Sequence, residues 1–168
     1  DSYPDIPEVE EDGASFFDNA LKKARTVAEH TGIAALADDS GLEVEYLEGA
    51  PGIYSARYAG PAASDDDNIS RLLEVMRDVP PEKRTAAFRC VLVLYEPDGR
   101  WQTFEGRWKG QISTRPHGSG GFGYDPVFFL PDRGLTVAEL APEEKNRLSH
   151  RARALNQLKN YLKESLSK

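Results

Sequence analysis

The segment Ala37-Asp38-Asp39-Ser40-Gly41 sets two adjacent carboxylates, a hydroxyl and a glycine between two apolar runs. Ile33 to Ala37 reads as a short buried strand. Leu42 to Leu47 alternates apolar and acidic residues, as a half-buried strand does. Charges at the end of a buried strand are costly unless they are solvated, paired or bound to metal. A solvated acidic turn meets that demand as well as a functional site does. The rest of the chain has to separate the two.

Composition narrows the choice. The 168 residues are enough for one domain with a core, spanning residues 1–168. A content of 39% hydrophobic and 29% charged residues fits a soluble globular chain. No run is long enough to cross a membrane and none reads as a signal peptide. The single cysteine, Cys90, excludes an internal disulfide framework and suits a reducing cytosol, so a cytoplasmic protein is expected. Its setting, Phe88-Arg-Cys-Val-Leu-Val-Leu94, reads as a core strand with a structural thiol. A formal charge of −7 argues against general nucleic-acid binding. It does not exclude a small anionic ligand, because a local basic cluster and a divalent metal override net charge. The acidic, extended start at Asp1 reads like the middle of a protein.

Helical periodicity over Ser15 to His30 places Phe17, Ala20, Leu21, Ala24, Val27 and Ala28 on one face, with Gly32 as C-terminal cap. Gly49 to Gly60 is a loop rich in glycine and tyrosine. Ser64 caps a second helix with Asp65, Asp66 and Asp67 in its first turn, the sign its dipole favours. Ala86 to Tyr95 reads as a strand and Pro97-Asp98-Gly99 as a turn. Trp101 to Phe104 returns as a second strand, and Glu105 to Ile112 as a further one. Val127 to Leu130 is a short apolar strand. Pro142 to Leu166 is the last helix, with Leu148, Ala152, Leu155, Leu158 and Leu162 facing inward. The pattern is one α/β domain with antiparallel hairpins.

Three clusters share a chemical theme. Glu10, Glu11 and Asp12 join Asp38 and Asp39 as hard oxygen ligands of the kind Mg²⁺ takes. Gly118-Ser-Gly-Gly-Phe-Gly-Tyr-Asp-Pro126 leaves backbone open to close approach. Its Phe122 and Tyr124 can stack on a base, and Asp125 can accept ring or exocyclic N–H groups. Lys145, His150 and Arg151 supply cations or a donor for carbonyl and phosphate oxygens. Taken singly, each reads equally as solvated charge, a flexible hairpin loop or an exposed helix face. Together they are the parts of a nucleotide hydrolase.

Here the chain resembles the inosine triphosphate pyrophosphatase family. The resemblance rests on Phe17-Asp-Asn-Ala-Leu-Lys-Lys-Ala-Arg25, Ala37-Asp-Asp-Ser-Gly-Leu42, Gly49-Ala-Pro-Gly-Ile-Tyr-Ser-Ala-Arg-Tyr58, Gly120-Gly-Phe-Gly-Tyr-Asp-Pro126 and Glu144-Lys-Asn-Arg-Leu-Ser-His-Arg151, in family order. It implies an elongated α/β fold, helices flanking a long central mixed sheet, and a homodimer. It implies Mg²⁺-dependent hydrolysis of ITP, dITP or XTP to the monophosphate and pyrophosphate, with no nucleic-acid or membrane partner. By the same resemblance Asp39 is the general base and Glu11 and Asp39 are the metal-side carboxylates. Lys23, Ser40, Phe122, Gly123, Tyr124, Asp125, Lys145, His150 and Arg151 contact the substrate. The family opens with a strand and helix joined by a Thr/Ser-x-Asn-x-x-Lys loop, which this sequence does not contain. That strand, helix and phosphate lysine are expected to be missing here, leaving a sheet edge uncovered. Two alternatives stand beside the enzyme: a non-catalytic purine-nucleotide binding fragment, and a Maf-type pyrophosphatase of other specificity.

Overall fold

The computed structural model describes residues 5–166; residues 1–4, where the acidic start begins, lie outside the described part. The strands β1 (Ala35–Val44), β2 (Thr85–Tyr95), β3 (Trp101–Ile112), β4 (Phe128–Leu130) and β5 (Leu135–Thr136) form one sheet in that order. Around it lie the helices α1 (Phe16–Thr31), α2 (Asp65–Val75), α3 (Pro142–Leu148) and α4 (His150–Leu166). The α/β class is the expected one. Every pairing among the described strands is antiparallel, so over these residues the expected mixed sheet is an antiparallel one. The β2–β3 pair shows why: its connection is the tight turn at Glu96–Arg100, which only antiparallel neighbours can use.

The acidic segment is not a turn. The two expected strands are one strand of ten residues, β1, in which Asp38, Asp39 and Ser40 pair with Leu92, Val91 and Cys90. Side chains alternate along a strand, so the adjacent carboxylates leave on opposite faces. Because β1 is an edge strand of the described sheet, both faces are within reach of loops and helix ends. The two strands expected from Trp101 to Ile112 are likewise one, β3.

Alternation also divides the core. On one face Ala35, Val91, Val93 and Tyr95 pack against Phe16, Ala20, Ala24 and Ala28 of α1. Ser15 starts that helix by accepting the Asp18 N–H at 3.1 Å, and Gly32 ends it in the left-handed region at φ 69°. On the opposite face Cys90, Leu92 and Phe104 pack against Ala154 and Leu158 of α4. Further along that face, Leu42, Val44 and Phe88 meet Ile69, Leu72 and Met76 of α2 together with Tyr124 and Phe128. Complete burial of Leu42, Leu72, Met76 and Phe128 contributes about 2 kcal/mol each. Arg84, also buried, has backbone partners instead of a carboxylate. Its guanidinium donates to the carbonyls of Met76, Val79, Ile112 and Ser113, tying the end of α2 to the end of β3.

The expected last helix is broken at Ser149, whose ψ of 159° is extended and whose Oγ accepts the Ala152 N–H at 3.1 Å. Leu158 faces the sheet as expected, together with Ala154, whereas Leu155 and Leu162, also expected inside, are 44% and 41% exposed.

Candidate active site

The charged residues gather on both sides of β1. On the α1 side, Asp39 is nearly buried and accepts a hydrogen bond from Asn19 Nδ2 at 3.1 Å. Lys23 Nζ lies 3.5 Å from Asp39 Oδ1 and 2.7 Å from Glu11 Oε1. Asn19 Oδ1 accepts the Gly13 N–H at 2.8 Å, and Arg57 Nη2 donates to the Glu11 carbonyl at 3.0 Å. These two bonds pin the segment carrying Glu11 beside α1. Burial holds the Asp39 carboxyl above the usual carboxylate range, outweighing the Asn19 bond and the Lys23 charge; the charge of Glu11 pushes the same way.

On the α4 side, Asp38 Oδ2 accepts from Arg151 Nη2 at 2.8 Å, Arg151 Nε at 3.2 Å and Ser40 Oγ at 3.2 Å. Burial alone would raise this carboxyl, but Arg151 and Ser40 outweigh it and hold it low. The charge of Lys23, on the opposite face, acts on Asp38 in the same direction. Lys23 thus acts on the carboxylates of both faces of β1.

Of the two expectations for His150, a cation or a neutral donor, the cation does not hold. Its ring is buried against Phe88, with centroids 5.0 Å apart. Burial and the charges of Arg151 and Lys145 push it down to about 4, so it is neutral near pH 7. Its Nδ1 is buried without a hydrogen-bond partner. As pH falls below 6.5 the unfolded chain takes up this proton before the folded one does, so the folded state loses stability down to about pH 4. Urea unfolding should show wild type losing about 3 kcal/mol relative to His150→Gln across that window. Parallel pH profiles would place the proton elsewhere.

The glycine loop is anchored to several elements. Phe122 presents its ring to solvent at 61% exposure, with Lys145 Nζ 4.0 Å above the ring centroid. The buried Asp125 accepts the Phe122 N–H at 2.9 Å and pairs with the Lys145 ammonium. Its carboxylate thus turns into the loop, not toward an open site. The Gly123 N–H donates to Asp65 Oδ2 of α2 at 2.6 Å. Tyr124 does not offer a stacking face. Its ring is in the core, its hydroxyl donates to the Ser55 carbonyl at 2.9 Å, and burial raises its phenol.

The sequence pattern gives no role to Asn19 or to an Asp38–Arg151 pair, and gives Asp65 only that of a first-turn helix charge. Strand alternation carries the signal for Asp38, since it separates that residue from Asp39. Asn19 lies one turn before Lys23 on α1, the helical spacing that puts two side chains on one face. Nothing local marks Asp65 among three consecutive aspartates.

Among the described residues no three His, Cys, Asp or Glu side chains converge as a metal cage. Mg²⁺ needs no such cage, since it takes one or two carboxylates plus water and phosphate oxygens. Glu11 and Asp39 fit that pattern, and the Lys23 ammonium contacting both shows that they accept a cation.

A sequence model of the Ham1 family matches residues 1–161. The chain is 56% identical over 162 residues to a dITP/XTP pyrophosphatase of Geobacter sulfurreducens, covering 96% of this chain and 81% of that protein. It is 59% identical over 151 residues to a dITP/XTP pyrophosphatase of Methylococcus capsulatus, covering 89% of this chain and 75% of that protein. A solved HAM1 protein from Coxiella burnetii superposes with a TM-score of 0.91 at 45% identity, covering 95% of this chain and 82% of that one. On sequence and on fold alike, the chain belongs to the Ham1 family.

Proposed function

We propose that the protein hydrolyses non-canonical purine nucleoside triphosphates (ITP, dITP and XTP) to the monophosphate and pyrophosphate. The observation that carries this reading is the nearly buried Asp39, flanked by Glu11 and Lys23 across the edge strand from Arg151. The relatives called dITP/XTP pyrophosphatase support the substrate class. Asp39 is the general base. A carboxyl raised above its ordinary range is a stronger base toward water than a free aspartate. Glu11 and Asp39 would hold Mg²⁺, which when bound offsets phosphate charge. Lys23, Lys145 and Arg151 orient the phosphates and stabilise charge moving to the leaving pyrophosphate. Phe122 is the stacking platform for the base. His150 is held neutral and so adds no charge to the site. Donors aimed at a 6-oxo group would face the 6-amino group of adenine unpaired, which is how ATP is refused.

The resemblance supports a homodimer in the cytoplasm. No helix among the described residues is long and apolar enough to cross a membrane.

The test is pyrophosphate release from ITP, XTP, UTP and ATP, with and without Mg²⁺. Release from ITP and XTP that requires Mg²⁺ and is at least a hundredfold weaker with ATP is expected. Binding of IMP without turnover of ITP would make the protein a nucleotide-binding scaffold. Preference for UTP would move it to the Maf type of activity.

A further inference from the structure

We propose that Asp65 is a positioning residue for the base platform, holding the glycine loop from outside through the Gly123 amide. The inference rests on Phe122 as that platform. Residues 122–124 are tied to three different partners: Phe122 N–H to Asp125, Gly123 N–H to Asp65, and the Tyr124 hydroxyl to the Ser55 carbonyl. The first bond is internal to the loop, and the third secures a ring already in the core. Lys145 of α3 reaches the Phe122 ring and the Asp125 carboxylate, whereas the Asp65 bond ties the backbone just after Phe122 to α2, across 58 residues of sequence.

Packing does not do this work at Gly123. Its φ of +58° is left-handed, and no heavy atom lies within 4 Å of where a Cβ would stand. The contrast with Gly121 is direct, since a Cβ there would meet the Asp125 carboxylate at 1.9 Å. One side of the loop is wedged, and the other is held by a hydrogen bond to a carboxylate. Such a charge-assisted bond is stronger than a neutral one.

The ordinary role of an aspartate at this position is to favour the helix dipole. Here α2 is already capped by Ser64 and Asp67, which satisfy each other's backbone N–H groups, and Asp66 adds a second first-turn charge. Asp65 is therefore free to serve the loop. Losing it should leave α2 intact and let the Phe122 ring drift from the height at which a base stacks.

The experiment compares wild type, Asp65→Ala and Asp65→Asn. Hydrogen exchange without nucleotide should speed up in residues 118–126 of Asp65→Ala, with α2 unchanged. The KM for ITP should rise about tenfold while kcat stays within twofold, since the bond aligns the base and not the water. Asp65→Asn keeps an acceptor oxygen and should restore most of both. Unchanged exchange in the loop overturns the proposal. So does an unchanged KM in Asp65→Ala when the wild type hydrolyses ITP. If wild type neither binds IMP nor hydrolyses ITP, the enzyme reading falls by itself, and loop exchange still decides whether Asp65 holds the loop.

Discussion

Replacing Asp39 by asparagine should lower kcat for ITP about a thousandfold without lowering the melting temperature. The loss follows from removing a general base, worth about 10²–10⁴ in rate, together with one of two carboxylates facing the proposed cation. Stability should move the other way. A carboxyl whose folded pKa is raised is less comfortable ionised in the fold than in the unfolded chain. Its charge therefore costs stability at neutral pH, and that cost fades as pH falls through the raised value. Asparagine carries no charge, and its amide oxygen can still accept from Asn19 Nδ2. Lys23 keeps Glu11 at 2.7 Å. The expected pair of results is a dead enzyme that melts at or above the wild-type temperature. Turnover within tenfold of wild type removes Asp39 from the base role. A large fall in melting temperature with residual activity would make its part structural. Functional sites of this kind are held at the expense of stability.

The parts of this site were legible where chemistry was concentrated in a few adjacent residues. Asp39, Lys145 and Arg151 stood in short charged runs, and the glycine loop stood out by composition. Helix starts were legible for the same local reason: Ser15 and Ser64 are side-chain caps a few residues from the groups they bond. What was hidden depends on distance in sequence. Asp38 reads as a twin of Asp39 until β1 is seen as one continuous strand that turns them apart. Tyr124 and Phe122 look interchangeable in the sequence. Core packing and the Ser55 carbonyl, 69 residues away in sequence, hold one ring inside while the other stays in solvent. The break between α3 and α4 was hidden because Ser149 is not a strong breaker residue. It comes from a serine cap inside what reads as one amphipathic run. Whether His150 is a cation or a neutral donor is not legible locally, because burial against Phe88 is a tertiary fact.

Gly106 combines a hidden constraint with a large expected effect. It lies in the middle of β3, where a glycine weakens a strand and needs a reason. The reason is the first turn of α4. A Cβ built on Gly106 would stand 1.8 Å from the His150 carbonyl oxygen and 2.9 Å from the Ala154 nitrogen. Both neighbours are backbone, so no rotamer change relieves the contact. The helix would have to lift by more than an ångström, about the gap to an ordinary contact, from a face on which Ala154 is fully buried. Overpacking of side chains costs about 1–3 kcal/mol, and a clash with helix backbone belongs above that range. Gly106→Ala should therefore lose about 4 kcal/mol in urea unfolding. The displacement begins at His150, next to Arg151, so the Asp38–Arg151 bond at 2.8 Å should open as well. Among molecules still folded, kcat for ITP should fall at least tenfold. Gly110→Ala is a useful comparison, because its Cβ would meet Phe128 and Phe129 instead of α4. A similar loss of stability with kcat retained in the folded fraction is expected there. If Gly106→Ala folds with wild-type stability and turnover, the close seating of α4 on β3 does not place the His150–Arg151 end of the site.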